Sequence, residues 1–372
     1  MSSSVKTPPV DVFKKNALLC LAEKREKKRT YPITRTDLIL VTRCPLCGGM
    51  DTTRLSEVYL NKKLNFFSTD ACNQCLFTFR SISLKFSWFE RCWKKIYTGK
   101  LEVFNPDLEK FRKKRYESFA RQIARYVSTG RILDIGASHG TGANLLRARG
   151  YTVETIEAEI TKRNYIKKFF KLPVVASSIE EFLAKKPTQS YDAVIFAQCL
   201  EHLDHPQTIV RAMKRILHPG SIVYLEIPIL WNYVSWHDAL YLPHKSNFTE
   251  QNIVHLVTAS GFVIERQFYV HEHSKDVPWD LGMLLRYVGG DAVTVEPNSK
   301  KGKTMRDVRR LYRRDLPFAR RIGMSKILRY DVPYIEHFFQ ILNLEKRQIV
   351  PPSSKNRFIT FPAVGSELSR RR

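Results

Sequence analysis

The pattern of apolar and polar positions changes at about residue 129. From there to residue 270, short apolar runs alternate with segments whose apolar residues follow helical spacing. The predicted strands are Arg131–Ile135, Thr152–Glu157, Pro173–Val175, Ala193–Phe196, Ser221–Ile227 and Phe262–Val270. The predicted helices are Thr141–Arg149, Thr161–Phe170, Ile179–Ala184, Gln207–Leu217 and Glu250–Ser260. Alternating short strands and helices predict an α/β fold built on a parallel sheet.

The remaining chain differs in texture from this α/β part. Residues 1–40 are predicted to be a basic arm, and residues 41–80 a short β-like segment with paired cysteines. Residues 81–128 are rich in aromatic and basic side chains and are predicted to be a helical connector. The α/β domain is predicted to span 129–270, followed over 271–372 by a basic extension, loop-like at first and then helical.

Charge is distributed unevenly over these segments. The 372 residues carry 62 Lys and Arg against 36 Asp and Glu, a formal charge of +26. The α/β domain contributes only +2, so the flanks supply +24. A basic excess indicates an anionic partner or surface, and nucleic acid stays open as a partner of the flanks. The near-neutral domain itself is more typical of an enzyme core than of a nucleic-acid-binding module.

Hydropathy and cysteine use indicate where the protein works. No apolar run reaches the roughly 18 residues of a membrane span, and the first residues do not have the pattern of a secretory signal. A cytoplasmic location is therefore expected. In that reducing environment the seven cysteines are predicted to be metal ligands or buried thiols rather than disulfides.

A glycine loop follows the first predicted strand of the α/β domain, in Leu133-Asp-Ile-Gly-Ala-Ser-His-Gly140. Such a loop lets the backbone and a helix N-terminus approach a ligand. The dinucleotide pattern Gly-x-Gly-x-x-Gly fails, because Ser138 and Thr141 occupy its second and third glycine positions. Acidic residues flank the loop instead: Asp134 near the end of the first strand, and Glu157 at the end of the second. Glu157 is well placed to accept hydrogen bonds from both ribose hydroxyls of a nucleoside ligand.

The chain here resembles the class I S-adenosylmethionine-dependent methyltransferases. Their first motif is matched by Leu133–Gly140, with Ser138 in place of the middle glycine. Three later segments are similar to the family's fourth strand with its Glu-His-Leu ending, its Pro-Gly turn and fifth strand, and its His-x-x-x-Phe-Thr segment before a helix. They are Tyr191–Leu203, Ile216–Pro228 and His244–Phe262. The resemblance implies a Rossmann-like seven-stranded sheet and S-adenosylmethionine as cofactor.

The resemblance also implies which residues bind the cofactor. Asp134, Gly136 and Gly140 would hold its methionine part, with Ala137 and Ser138 in the same loop. Glu157 would hold the ribose, Ser178 and Ile179 the adenine, and Gln198 would line the site.

A Glu-His pair follows the predicted fourth strand, at the edge where ligands bind in α/β sheets. Transfer to a hydroxyl or an acidic C–H needs a base, and histidine suits that task near neutral pH. His202 is the candidate base and Glu201 a polarising neighbour, while His244 is a second candidate. Roles in capping and packing the next helix, or in positioning the substrate, stay open for Glu201 and His202. A structural loop role stays open for His244.

Two Cys-x-x-Cys pairs lie in the β-like segment. Four thiolates on two tight turns suit one tetrahedral zinc, which would stabilise a segment with little core of its own. The predicted ligands of a structural zinc are Cys44, Cys47, Cys72 and Cys75. Buried thiols and a redox pair are the alternatives.

A zinc knuckle before a methyltransferase core resembles a narrower group, the methyltransferases with an N-terminal zinc-binding domain. That resemblance implies O- or C-methylation of a sugar or glycan, with the histidine of the Glu-His motif as base. Two alternatives remain: an RNA methyltransferase that grips its substrate through the basic flanks, and a non-catalytic scaffold that binds the cofactor. The sequence gives no prediction of oligomeric state.

Overall fold

A computed structural model describes residues 33–60, 64–96, 106–232, 243–270, 280–289, 304–310, 348–350 and 359–360. Two sheets organise this part of the chain. One is the α/β sheet that the pattern from residue 129 predicts, and the other is an antiparallel sheet formed mainly by residues 38–84. The predicted arm falls mostly outside the described residues, as do Cys20 and most of the predicted C-terminal extension.

The α/β sheet has seven strands. They are β5 (Arg131–Ile135), β6 (Thr152–Ile156), β7 (Val174–Ala176), β8 (Tyr191–Ala197), β9 (Leu217–Pro228), β11 (Phe262–Val270) and β12 (Asp280–Tyr287). Their order across the sheet is β11-β12-β9-β8-β5-β6-β7, and only β12 runs antiparallel to its neighbours. The Rossmann-like α/β fold with a seven-stranded sheet is therefore confirmed.

Short helices connect these strands. They are α3 (Thr141–Ala148), α4 (Ile160–Tyr165), α5 (Ile179–Ala184), α6 (Pro206–Ala212) and α7 (Glu250–Thr258). Two of the longer predicted helices change type along their length. A π-helical turn over Ile166–Phe170 continues α4, and a 3-10 turn over Met213–Ile216 follows α6. The sequence pattern predicts which face of these two helices is apolar. It does not distinguish an α-helical turn from a π-helical or 3-10 turn.

Both faces of the α/β sheet are covered by apolar side chains. Along β5, Leu133 and Ile135 pack into one cluster while Ile132 packs into the cluster on the opposite face. Along β8, Val194 and Phe196 pack into the same cluster as Leu133 and Ile135. Strands buried on both faces are typical of parallel sheets, and they leave only strand ends free to carry polar, ligand-binding groups.

The sheet extends beyond the last predicted strand. Strand β12 inserts between β9 and β11, although residues after 271 are predicted to begin as a loop. Seven of its eight residues are buried, so its sequence shows no polar alternation and does not read as a half-exposed strand. The domain boundary at 270 remains a prediction, and the sheet itself continues to Tyr287.

The antiparallel sheet is built on β1 (Leu38–Leu40), β2 (Thr52–Leu60), β3 (Leu64–Cys72) and β4 (Thr78–Leu84). Its strand order is β1-β4-β3-β2, continued by two short strands, β13 (Gln348–Val350) and β14 (Ile359–Thr360). One further strand, β10 (Ser246–Asn247), pairs with β4 from the α/β part of the chain. The antiparallel sheet thus includes a short strand from the α/β part of the chain.

Two helices connect the sheets, as predicted for residues 81–128. They are α1 (Phe86–Ile96) and α2 (Pro106–Ile123). The second packs on the α/β sheet through Phe119 and Ala120, both buried in the same cluster as Ile132 and Tyr224. Its Tyr116 and Arg115 thereby reach Asp134 and Glu226, at the edge of the sheet where the predicted site lies.

Candidate active site at the carboxyl ends of the strands

The carboxyl ends of β5, β6 and β8 lie side by side, because these strands are parallel neighbours. Each end carries part of the predicted site: the glycine loop after β5, Glu157 after β6, and Gln198 with Glu201 and His202 after β8. The topology thus brings together residues that are up to 68 positions apart in the sequence, from Asp134 to His202.

The loop after β5 takes the left-handed backbone conformation three times. Gly136 has φ 80°, Ser138 φ 52° and Gly140 φ 80°. A side chain disfavours this region, so Ser138 holds a strained conformation that the glycine of the related motif adopts freely. A Cβ at Gly136 would overlap the Cys199 sulfur. The loop therefore takes the left-handed conformation even at Ser138, which stands in place of the motif's middle glycine.

Glu157 is fixed by the loop that it faces. The backbone N–H of Ser138 donates to its Oε2 at 2.8 Å, and that of Glu159 donates to its Oε1 at 2.9 Å. Burial raises the pKa of this carboxyl, and a small exposed fraction of 7% still faces the cleft. Each oxygen keeps a second lone pair, which suits the predicted contact with two ribose hydroxyls.

Asp134 lies deeper than the resemblance implies. It is fully buried, and the Tyr116 hydroxyl donates to its carboxylate, 3.0 Å from both oxygens. Burial raises the pKa of Asp134 to about 7, helped by the nearby Glu157 charge and opposed by the Tyr116 hydrogen bond. In this structure Tyr116, from α2, covers the acid. A direct contact between Asp134 and the methionine part of a cofactor stays a prediction.

The remaining predicted cofactor residues are placed at the same edge. The Ser178 hydroxyl accepts the backbone N–H of Glu181 at 3.1 Å and so caps α5, whose first residue is Ile179. Gln198 has a φ of 54°, and its backbone N–H donates to Glu226 at 2.8 Å. Ala137, in the loop, is buried.

Glu201, His202 and His244 form one cluster. Nε2 of His202 lies 3.8 Å from Oε1 of Glu201, and Nε2 of His244 lies 3.9 Å from the same oxygen. The two imidazole rings are 4.9 Å apart between centroids. The structure therefore brings together the three predicted catalytic residues, although Glu201 and His202 are neighbours on a 3-10 turn and His244 follows 42 residues later.

Burial shifts the pKa of each group in this cluster toward its neutral form. It raises the pKa of Glu201 to about 8, with a further contribution from Asp280. It lowers the pKa of His202 to about 4, although 37% of that side chain is exposed to the cleft. The pKa of His244 falls well below its usual value, through burial and then through the charges of His202 and Arg80. Both imidazoles are thus neutral bases at physiological pH.

The orientation of His202 is set by its second ring nitrogen. Nδ1 lies 3.1 Å from the carbonyl oxygen of Pro243. Because a carbonyl only accepts hydrogen bonds, Nδ1 carries the proton and donates it, and Nε2 keeps a free lone pair. The lone pair is available at the cleft.

Cys199 lies between the cofactor loop and this cluster. Burial raises the pKa of its thiol, and the carboxylates of Glu201, Glu157 and Asp134 raise it further. These shifts indicate that Cys199 lies near both the predicted cofactor residues and the predicted base.

A charged network beside the cleft was not predicted from the sequence. Arg115 of α2 pairs with the fully buried Glu226, and its guanidinium lies 3.8 Å from Asp280. The Tyr224 hydroxyl donates to Glu226 at 2.7 Å. An acid inside an otherwise apolar strand, as in Leu225-Glu226-Ile227, is the sequence signal that points to this network.

The four predicted zinc ligands also meet. Their sulfur atoms all lie within 4.8 Å of one another, with Cys44 3.6 Å from Cys75 and Cys47 3.5 Å from Cys72. They lie on two tight turns, closed by hydrogen bonds from Gly48 N–H to Cys44 and from Leu76 N–H to Cys72, each 2.9 Å long. Zinc–sulfur bonds of about 2.3 Å in a tetrahedron separate the sulfurs by about 3.8 Å, so the cluster has the size of a four-cysteine zinc site.

The chain was compared with known families and proteins. Residues 109–267 match the family model described as a methyltransferase domain. The ubiquinone biosynthesis O-methyltransferase of Klebsiella pneumoniae (strain 342) is 30% identical over 99 residues, which cover 25% of this chain and 40% of the relative. The same enzyme of Escherichia coli (strain K12 / DH10B) is 29% identical over 99 residues, 25% of this chain and 41% of the relative. The chain thus spans less than half the length of these curated relatives.

Similar solved structures were also found, each covering about half of the chain. The N-methyltransferase NodS of Bradyrhizobium japonicum WM9 with S-adenosyl-l-homocysteine covers 53% of this chain and 97% of its own, at 15% identity and a TM-score of 0.42. A Burkholderia thailandensis 1,6-didemethyltoxoflavin-N1-methyltransferase covers 54% and 88%, at 14% identity and a TM-score of 0.42.

The family match and the sheet order agree with each other. Residues 109–267 match a methyltransferase domain, and the sheet that they help to form has a Rossmann-like α/β order. The cleft fits the cofactor, because Ser138 Oγ and Gln198 Nε2 are buried there with no hydrogen-bond partner among the described residues. Such atoms are normally satisfied, and a polar ligand between them would supply the missing bonds. Within the described ranges, no helix combines the length and apolar character that crossing a membrane requires.

Proposed function

We propose that the protein transfers a methyl group from S-adenosylmethionine to a hydroxyl of a small acceptor, most specifically a sugar or glycan, with His202 as the general base. When bound, the cofactor supplies a methyl group that its sulfonium charge activates. The task left to the chain is to orient the acceptor, exclude water and remove one proton.

The orientation of His202 carries this proposal. Its Nδ1–H donates to Pro243, so Nε2 keeps its lone pair, and 37% of the side chain is exposed to an entering acceptor. A proton leaving the acceptor hydroxyl would be taken up at Nε2. Glu201, whose Oε1 lies 3.8 Å from that nitrogen, is the neighbouring polar group of the cluster.

The proposed roles of the cofactor residues follow from their positions. Glu157 would bind the ribose hydroxyls, and the loop from Gly136 to Gly140 the methionine part. Ser178 and Ile179 would approach the adenine through the start of α5, because the Ser178 hydroxyl is already used as a cap. Asp134 would act through Tyr116, which it holds over the loop.

The acceptor class is supported by three observations. The methyltransferase domain is nearly neutral, which suits an uncharged acceptor. The chain combines a cysteine cluster with a methyltransferase domain, and so does the sugar-modifying group that the sequence resembles. The curated relatives are O-methyltransferases by name, which supports a hydroxyl acceptor and makes a component of ubiquinone biosynthesis the competing acceptor. Nothing in the described cleft favours RNA, so that alternative is not carried further.

We also propose that Cys44, Cys47, Cys72 and Cys75 bind a structural zinc. The distances of 3.5 and 3.6 Å between pairs of sulfurs support a preformed site. Cys44 and Cys72 are buried within the same apolar cluster as Leu225 and Phe248 of the methyltransferase domain. The zinc would therefore hold its two turns against that domain. A cytoplasmic location and an anionic partner of the basic flanks remain predictions.

A labelling experiment tests the acceptor. The protein is incubated with methyl-labelled S-adenosylmethionine and a cell lysate, and the label is sorted into small soluble, glycan, lipid, nuclease-sensitive and protease-sensitive fractions. Label in the small soluble or glycan fraction supports the sugar acceptor. Lipid-soluble label supports the ubiquinone alternative, and label that nuclease releases contradicts both.

His202→Ala tests the base. We expect turnover to fall by about 100-fold or more, with cofactor affinity close to that of the native protein. His205→Ala is the matched control, because His205 is exposed and three residues further along the same loop. Native turnover in His202→Ala removes His202 as the base.

A further inference from the structure

The Glu201 carboxylate is the most unusual polar group in the described part of the chain. It is 0% exposed, and neither of its oxygens has a hydrogen-bond partner among the described residues. A buried carboxylate without a partner is costly. The two groups that face it, the imidazoles of His202 and His244, lie 3.8 and 3.9 Å from one oxygen, too far for hydrogen bonds.

The spacing of these three groups matches a different kind of contact. Metal ligands at 2.0–2.2 Å from one ion in a tetrahedron lie about 3.3–3.6 Å from each other. One oxygen and two nitrogens, all within 4.8 Å of one another, need only small side-chain rotations to reach that arrangement. The proton on Nδ1 of His202 is held by Pro243, so Nε2 presents the lone pair that a metal requires.

The neighbouring charges leave Glu201 as the group available to a cation. Among the nearby cations, Arg80 donates through Nε to the His244 carbonyl at 3.0 Å, and Lys245 lies 3.3 Å from Asp204. Lys245 also donates to the Ser83 hydroxyl at 2.9 Å. Arg115, whose charge also acts on Glu201, pairs with Glu226 and lies 3.8 Å from Asp280.

We propose that Glu201, His202 and His244 bind one divalent transition-metal ion of the zinc type, and that the bound ion inhibits methyl transfer. Two imidazole nitrogens with one carboxylate oxygen are borderline donors, which favour zinc, cobalt or nickel over magnesium or calcium. Nε2 of His202 has a single lone pair, so a bound ion prevents it from accepting a proton. The inhibition rests on the proposed function, whereas the metal site does not.

The test counts and distinguishes the ions that the full chain binds. The protein is equilibrated with limiting Zn²⁺, dialysed and analysed by elemental mass spectrometry, and the same titration with Co²⁺ is followed by absorption. We expect two ions per chain, one of which gives the thiolate charge-transfer bands of the cysteine cluster and one of which does not. His244→Ala should weaken the affinity for the second ion at least tenfold and keep the first, while Cys44→Ser should lose the first. His244→Gln serves as a second variant if His244→Ala does not fold.

Two controls make the outcome decisive. His218→Ala removes a partly exposed imidazole that pairs with Asp192, outside the cluster, and should keep both ions. One ion per chain in the native protein, or an unchanged second ion in both His244 variants, overturns the site. Transfer that is unaffected or increased when the second ion binds overturns the inhibition. If no transfer is found at all, the ion counts still decide the metal site, and only the proposed function fails.

Discussion

The two sheets of this protein are stabilised in different ways. The methyltransferase sheet buries mainly apolar side chains on both faces. The antiparallel sheet buries polar side chains along its strands, among them Ser68, Thr69, Thr78 and Arg80. A sheet with such a core has less apolar area to stabilise it. It therefore depends more on specific contacts, of which the proposed zinc is the strongest.

The largest expected effect follows from this difference. Cys44→Ser should lose the ion held by the four thiolates and destabilise the antiparallel sheet, because structural zinc contributes on the order of 10 kcal/mol to the folding of small zinc domains. In hydrogen exchange, β2, β3 and β4 should lose protection while β5 and β8 keep theirs. Cys199→Ser, which removes a thiol outside the cluster, should retain the ion. Equal loss of protection in both sheets would show that the antiparallel sheet depends on the metal no more than the methyltransferase sheet does.

A smaller effect is expected at the other sheet. Glu157→Ala should weaken S-adenosylmethionine binding by about 1.5–3 kcal/mol, because two hydrogen bonds to a charged group are removed, or about 10- to 150-fold in Kd. Calorimetric titration measures this directly, and metal content should not change. Glu180→Ala, an exposed acid on α5, is the control and should bind as the native protein does. Equal affinities in all three proteins would reject the ribose contact.

The smallest effect concerns Asp134, whose pKa is raised to about 7 in the folded protein against about 3.9 in an unfolded chain. Between these values the folded state binds the extra proton, so this group's contribution to stability falls as the pH rises from about 4 to 7. The slope is at most about 1.4 kcal/mol per pH unit. Urea unfolding at pH 5, 6 and 7 should show a flatter profile for Asp134→Asn. Parallel profiles would mean that the carboxyl is already ionised in the fold.

Sequence patterns predicted the methyltransferase sheet well for a physical reason. Five of its seven strands are parallel neighbours buried on both faces, and such strands read as apolar runs separated by amphipathic helices. Strand β12 was missed, because a short apolar run without alternation fits a buried strand and a buried helix segment equally well. Arg131–Ile135 and Phe262–Val270 were predicted to the residue.

The sequence predicted mainly those site residues that lie at or directly after the end of a strand. The glycine loop, Glu157 and the Glu-His pair each follow a strand, so their meeting follows from the topology. Tyr116 and Arg115 come from a helix that packs across the sheet, and no local pattern predicts which strand end that helix will cover. The sequence likewise did not show that the Ser178 hydroxyl caps a helix, since a serine hydroxyl suits helix capping as well as ligand binding.

The pairing of β10 with β4 has a consequence for the independence of the two sheets. His244 directly precedes Lys245, whose carbonyl accepts the backbone N–H of Arg80 at 2.8 Å, and the Arg80 side chain donates to His244 itself. His244, the third member of the proposed catalytic cluster, is thus anchored to a strand belonging to the cysteine-rich half. Cutting the chain between the halves would leave each with an incomplete surface, so the two have to be inherited, exchanged or engineered as one unit.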